Sequence, residues 1–177
     1  AGLMDVFIMK LAPNGALLWS TLLGGPNYAR AYAIEVYEDP TNPTNPENGA
    51  VYVAGRAGPG FPVTTPGAFQ TTFGGGSGTA HYGPQDGFIA KLSPDGARLL
   101  WASYFGTGDL HIIRDLALDA SGNGYLVSGR DIGFAYPAAI EAAFAGSYQP
   151  TPKGGTDTVI AKVAADGSQV RWATHLG

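Results

Sequence analysis

A chain of 177 residues with a net charge of −4 and no basic cluster is a poor partner for nucleic acid or an anionic membrane surface. The absence of cysteine excludes disulfides, thiolate-bound zinc and a thiol nucleophile. With 27 Gly, 13 Pro, only 14% charged residues and no apolar run of bilayer-spanning length, the composition predicts a turn-rich all-β protein.

The chain opens on Asp5-Val6-Phe7-Ile8-Met9-Lys10-Leu11, whose period-two alternation predicts a strand. Both faces are largely apolar, so a strand covered on two sides is expected, as in a stack of sheets. Pro13-Asn14-Gly15 is turn chemistry: Pro presets φ, Asn tolerates the left-handed region and Gly occupies it without steric cost. The return arm carries Trp19 and ends at Gly24, completing a hairpin. A second hairpin is predicted from Ala33–Val36 and residues 50–55. Between its arms run Asp39 to Gly49, with prolines at 40, 43 and 46. That spacing predicts a polyproline II loop inserted at a hairpin tip, contributing little to the core.

The first pattern returns at Asp86, with its turn at Gly96 and its tryptophan at Trp101, and again at Asp157, with Gly167 and Trp172. The second hairpin returns as residues 116–129, with a compact Asp119-to-Gly124 turn in place of the proline loop. After each second hairpin comes an irregular stretch with an aromatic-Pro, then an Ala-Phe, then a Gly-rich return to the next Asp: Phe61-Pro62 and Ala68-Phe69 in the first, Tyr136-Pro137 and Ala143-Phe144 before Gly154-Gly155 in the second. Self-similarity at a long period marks a repeat architecture. The repeat units are 5–85, 86–156 and 157–177, the last a single hairpin, within one partial domain 1–177.

Four short antiparallel strands per unit is the grammar of a β-propeller blade. Ten strands make about two and a half blades, too few to close a ring, so the chain is expected to be part of a larger propeller or to complete its open edges with another subunit. The last hairpin, ending at Leu176, is expected to lack its partner, a strand pair like 116–129.

The ordered motifs Asp86-x-Phe88-Ile89-x-Lys91-Leu92-x-Pro94-x-Gly96, Asp119-x-x-Gly122-Asn123-x-Tyr125 and Phe61-Pro62-x-x-x-Pro66-Gly67-Ala68-Phe69 resemble the bacterial seven-bladed β-propeller repeat (SBBP) family. The resemblance covers nearly the whole chain. It implies a propeller in a secreted or cell-surface bacterial protein that acts as a non-catalytic binding or scaffold module, and it transfers no catalytic residues. The proline loop, Arg56 and Arg130 depart from the family pattern. The Gly-to-Trp spacings, Gly15 to Trp19, Gly96 to Trp101 and Gly167 to Trp172, are also similar to the docking repeats of quinoprotein dehydrogenases. That gives the alternative of a propeller enzyme, although the Ala-x-Asp-x-x-Thr lead-in of those repeats is missing.

Candidate chemistry is sparse, and no cofactor is expected. Asp39 and Glu47, in the proline loop, are weak calcium candidates because they place oxygen donors in one loop. Asp119, Ser121 and Asn123 match the start of a calcium loop, but Arg130 stands where a bidentate Glu is needed, so a hairpin turn is expected. Arg56 and Arg130 follow a strand-ending Gly at equivalent places and are read either as a ligand-facing rim or as ion-pair partners of Asp86, Asp115 or Asp157. His81, His111 and His175 have no metal-ligand spacing, and Ser20 and Ser103 have no neighbouring base. The recurring Asp5, Asp86 and Asp157, the turn glycines and the tryptophans are structural positions; each Trp is expected to pack, buried, against the neighbouring blade.

Overall fold

The computed structural model describes residues 3–63, 67–75, 82–108, 110–131 and 135–177, the side chains of Arg130 and Asp131 excepted. The predicted hairpins are present: β1 (Val6–Leu11) with β2 (Leu17–Leu23), β3 (Ala29–Val36) with β4 (Val51–Ala57), β5 (Asp86–Leu92) with β6 (Leu99–Phe105), β7 (Ile113–Leu118) with β8 (Gly124–Asp131), and β9 (Thr156–Val163) with β10 (Val170–Leu176). A short helix, α1 (Ala138–Glu141), continues into a single 3-10 turn.

These strands form three antiparallel sheets: β1-β2, then β3-β4-β5-β6, then β7-β8-β9-β10. The protein is therefore all-β, built of about two and a half four-stranded blades. The sheets are offset from the sequence repeat by one hairpin. β4 pairs with β5 from Val51↔Leu92 to Ala57↔Asp86, so each four-stranded sheet joins the second hairpin of one repeat to the first hairpin of the next. The closing hairpin β9-β10 thus already has a neighbour, because β8 pairs with β9 from Gly124↔Val163 to Asp131↔Thr156. This corrects the expectation that it lacks a partner. Among the described strands the incomplete sheet is the first one, whose β1 has no neighbour on its outer side.

The sheets stack face to face. Val6, Ile8 and Leu23 of the first sheet pack with Val53, Phe88, Ala90, Ala102 and Tyr104 of the second. On its other face, Tyr52, Ile89, Trp101 and Phe105 pack with Leu116, Leu126, Val159 and Ala161 of the third. Strands β4 and β5 are consequently buried at every residue, the two-sided cover their sequences call for. β7 lies against β3 and β4, while β6 and β10 have no comparable contact, so the sheets splay from one side like blades. Ile140 and Phe144, from α1 and the 3-10 turn, help fill the opening between them.

The recurring residues act at these joints. Trp19, Trp101 and Trp172 pair across their hairpins with Lys10, Lys91 and Lys162, each beside a register shift. The turn glycines 15, 96 and 167 all have positive φ (83°, 67° and 72°), the region where a side chain would be strained. Asp5, Asp86 and Asp157 sit against Gly24, Gly106 and Gly177, where an added Cβ would collide with a carboxylate oxygen. Glycine at those strand ends is a requirement of close approach.

Candidate interaction surfaces

Each joint between sheets repeats one arrangement. A tryptophan at the end of one hairpin lies flat on the turn glycine of the next. A Cβ at Gly96 would meet the Trp19 ring at 2.6 Å, and one at Gly167 would meet the Trp101 ring at 2.5 Å. The indole N–H of Trp19 donates to the Pro94 carbonyl at 3.2 Å, and that of Trp101 to the Ala165 carbonyl at 2.9 Å. The irregular stretch completes the second joint. Gln70 runs along β6, its N–H donating to Ser103 Oγ and its carbonyl accepting from Tyr104 N–H. That track carries Phe69 against Phe105 and up to the turn that Trp101 covers, where the Phe69 N–H donates to the Gly167 carbonyl at 3.0 Å.

The same half-joint is built on the third sheet. Gln149 repeats the track, its N–H donating to Thr174 Oγ1 and its carbonyl accepting from His175 N–H. Tyr148 therefore stands where Phe69 does, and Trp172 where Trp101 does; this corrects the Ala-Phe match of the sequence, since Phe144 lies in the 3-10 turn, stacked on His175. Among the described residues only the edge of Tyr125 meets Trp172, and no turn of a further sheet lies on it. Tyr148 is 88% exposed against 8% for Phe69, and Trp172 is 38% exposed against 5% for Trp101. Together with residues 145–147 and Thr174 they line an open cleft of about 400 Å³. Of the three tryptophans, Trp101 alone meets the expectation of full burial.

At the opposite end, the first sheet displays the complementary half. Phe7, Met9, Leu11 and Leu22 are exposed, whereas their counterparts Phe88, Ala90, Leu92 and Tyr104 are buried. The Pro13-Asn14-Gly15 turn projects into solvent, and a Cβ at Gly15 would meet nothing within 4 Å.

A second repeated device was missed from the sequence although its lysine appears in all three copies. Lys91 is buried, and its Nζ reaches Glu47 Oε2 at 2.9 Å while facing the rings of Tyr52 and Tyr37. Lys162 reaches Asp119 Oδ2 at 2.8 Å and faces Tyr125. In both sheets the tip of the second hairpin delivers an acid to the lysine of the first hairpin beside it. The proline loop adds no residue to either apolar core, as expected, but it supplies the acid that meets buried Lys91. It is also a run of consecutive turns, not polyproline II: Asn42, Asn45 and Asn48 N–H donate in turn to the carbonyls of Asp39, Asn42 and Asn45. Asp39 accepts from Thr41, Asn42 and Asn45, which hold its carboxyl below the usual range, so both calcium candidates are already engaged.

Asp119 is a turn cap. Burial pushes its carboxyl up, but Lys162, Asn123 and the turn N–H groups outweigh that and bring it to about 2. Asp86 is the opposite case. It is fully buried, and desolvation raises its carboxyl to about 7 against a single opposing hydrogen bond from Gly74 N–H.

Arg56 forms no ion pair with Asp86, Asp115 or Asp157; it is buried among Tyr28, Tyr32 and Tyr82. The Arg130 side chain and His81 lie outside the described residues. His111 and His175 are buried against Tyr136 and Phe144, and Ser103 Oγ is occupied by Gln70. Among the described residues no three His, Cys, Asp or Glu side chains are grouped to hold a metal. No helix among them is long and apolar enough to cross a membrane. No protein-family model matches the chain, and no curated protein matches it.

Proposed function

We propose that this protein is a non-catalytic binding and scaffold module, a piece of a β-propeller of the bacterial seven-bladed repeat kind, working outside the cell or at its surface by joining to other protein. The observation that carries this reading is the contrast between closed and open joints. Trp101 and Phe69 hold a turn of the next sheet, whereas Trp172 and Tyr148 line the same kind of cleft open to solvent. Exposed apolar surface of that kind marks an interaction site.

The occupant that fits is a turn of the Pro13-Asn14-Gly15 kind, backed by an apolar face like that of Phe7, Met9 and Leu22, supplied by a further repeat of a longer propeller or by another subunit; a second copy of this chain carries such a turn and stands in for either. It has the chemistry of the turns at Gly96 and Gly167 that fill the two internal seats, and its glycine is open to a ring. In that joint Trp172 Nε1–H donates to the Pro13 carbonyl, as Trp101 does to Ala165. The two faces differ, so the contact is head-to-tail and propagates.

Light scattering over a concentration series tests this. The chain should grow in mass with concentration. Trp172→Ala blocks one end and Phe7→Glu the other; each variant alone should stay monomeric, and an equimolar mixture should stop at a dimer through the intact pair of faces. A wild-type chain that remains monomeric at every concentration overturns docking between copies, and failure of an added Pro-Asn-Gly hairpin (residues 3–24) to bind the Trp172 cleft as well overturns the reading.

A further inference from the structure

Three arginines converge where β3 meets β7. Arg30 and Arg56 stand directly opposite in the β3–β4 register, and Arg114 lies in β7. All three guanidiniums gather on one ring, at 5.2, 5.8 and 5.3 Å from the Tyr32 centroid for Arg30, Arg56 and Arg114. Arg56 also faces Tyr28 at 5.4 Å and Tyr82 at 5.2 Å. Like charges directly opposite on a sheet repel. In a chain with 14 acidic residues, the ordinary remedy is a carboxylate between them, as Lys91 and Lys162 each have. Among the described residues none of these arginines has one.

The aromatic rings offset part of the positive charge, but a ring face is no match for the directional N–H donors of a guanidinium. Arg56 is only 7% exposed, and its Nε has no hydrogen-bond partner. A buried donor left without an acceptor calls for one from outside the chain.

We propose that Arg30, Arg56 and Arg114, walled by Tyr28, Tyr32 and Tyr82, form a binding site for a carboxylate-bearing ligand. A carboxylate is planar and offers paired acceptors that match the guanidinium fork. The carbon bearing it would rest on the tyrosine faces, which a bare inorganic anion would not use. Arg30 and Arg114 are exposed and supply the entry, and Arg56 supplies the buried end. The site stands apart from the Trp172 cleft and does not depend on self-association.

The test follows the Arg56 Nε–H resonance by NMR in the Trp172→Ala background, so that failure of the docking reading cannot mask the result. Titration with D-glucuronate and, separately, N-acetylglutamate should move that resonance saturably, while glucose should leave it in place. Either carboxylate binding tighter supports the site and tells whether an acidic sugar or an acidic peptide group is the better source. Arg114→Gln, an exposed change, should weaken binding about tenfold, and Arg56→Lys, which keeps the charge but not the fork, by at least as much. Saturation by neither carboxylate, tighter binding of inorganic phosphate, or equal affinity in Arg114→Gln overturns the proposal.

Discussion

The second and third sheets carry the same four strands, yet their surroundings give equivalent residues different work. Trp101 is enclosed by the third sheet, whereas Trp172 waits at an open cleft. Lys91 is buried and receives its acid from an eleven-residue run of turns, Asp39 to Gly49; Lys162 is part-exposed and receives its acid from the tight turn at Asp119. The lesson is that the repeat conserves an interaction, an acid from the neighbouring tip, while leaving the backbone that delivers it free to change. Insertion at a tip is tolerated because loop closure costs little more for a longer loop, provided the acid still arrives.

The largest difference between the sheets should come from their tryptophans. Trp101→Ala should cost about 3–5 kcal/mol in chemical denaturation, the range for deleting an enclosed aromatic, and Trp172→Ala about 1 kcal/mol or less. Equal losses would mean that the open cleft is not open in solution.

The aspartates come next, and their signs oppose. Asp86 has a folded carboxyl value raised to about 7 from an unfolded value near 3.8, so the folded state holds its proton more tightly. Its contribution is therefore most favourable below pH 3.8 and falls as pH rises towards 7, by on the order of 2–4 kcal/mol. Asp86→Asn should flatten that slope in denaturation curves between pH 4 and 7; an unchanged slope would show that Asp86 ionises in an ordinary environment.

Replacing residues 39–49 with a two-residue turn leaves Lys91 buried without Glu47. Because Glu47 is half exposed, the expected loss is about 2 kcal/mol, less than for a fully buried pair. Adding Lys91→Met should recover most of it by removing the stranded charge. A shortened loop that is harmless with Lys91 intact would break the equivalence with Asp119.

The smallest effect belongs to Asp119. Its folded value is depressed to about 2, so its contribution is present above pH 3.8 and lost as pH falls through 2. Asp119→Asn should cost about 1 kcal/mol at pH 7 and only a small fraction of that at pH 2, measured by urea titration at the two values.

The sequence by itself determined the hairpins. Alternation along β1 and β5, the Asn14-Gly15 and Asp95-Gly96 turns, and the recurrence of Asp, Lys and Trp at fixed places are local signals, and they state strand, turn and repeat without knowledge of distant residues. Apolar residues on both faces of β5 likewise announced a strand between two layers. The tertiary structure alone decided which hairpins share a sheet, because a hairpin's outer strand presents the same unpaired N–H and C=O groups to whichever neighbour arrives. It also decided where charge settles. Nothing local ties Glu47 to Lys91, 44 residues on, or brings Arg114 across to Tyr32 and Arg30; those meetings exist because sheets stack, and stacking fixes distances that the order of residues leaves open.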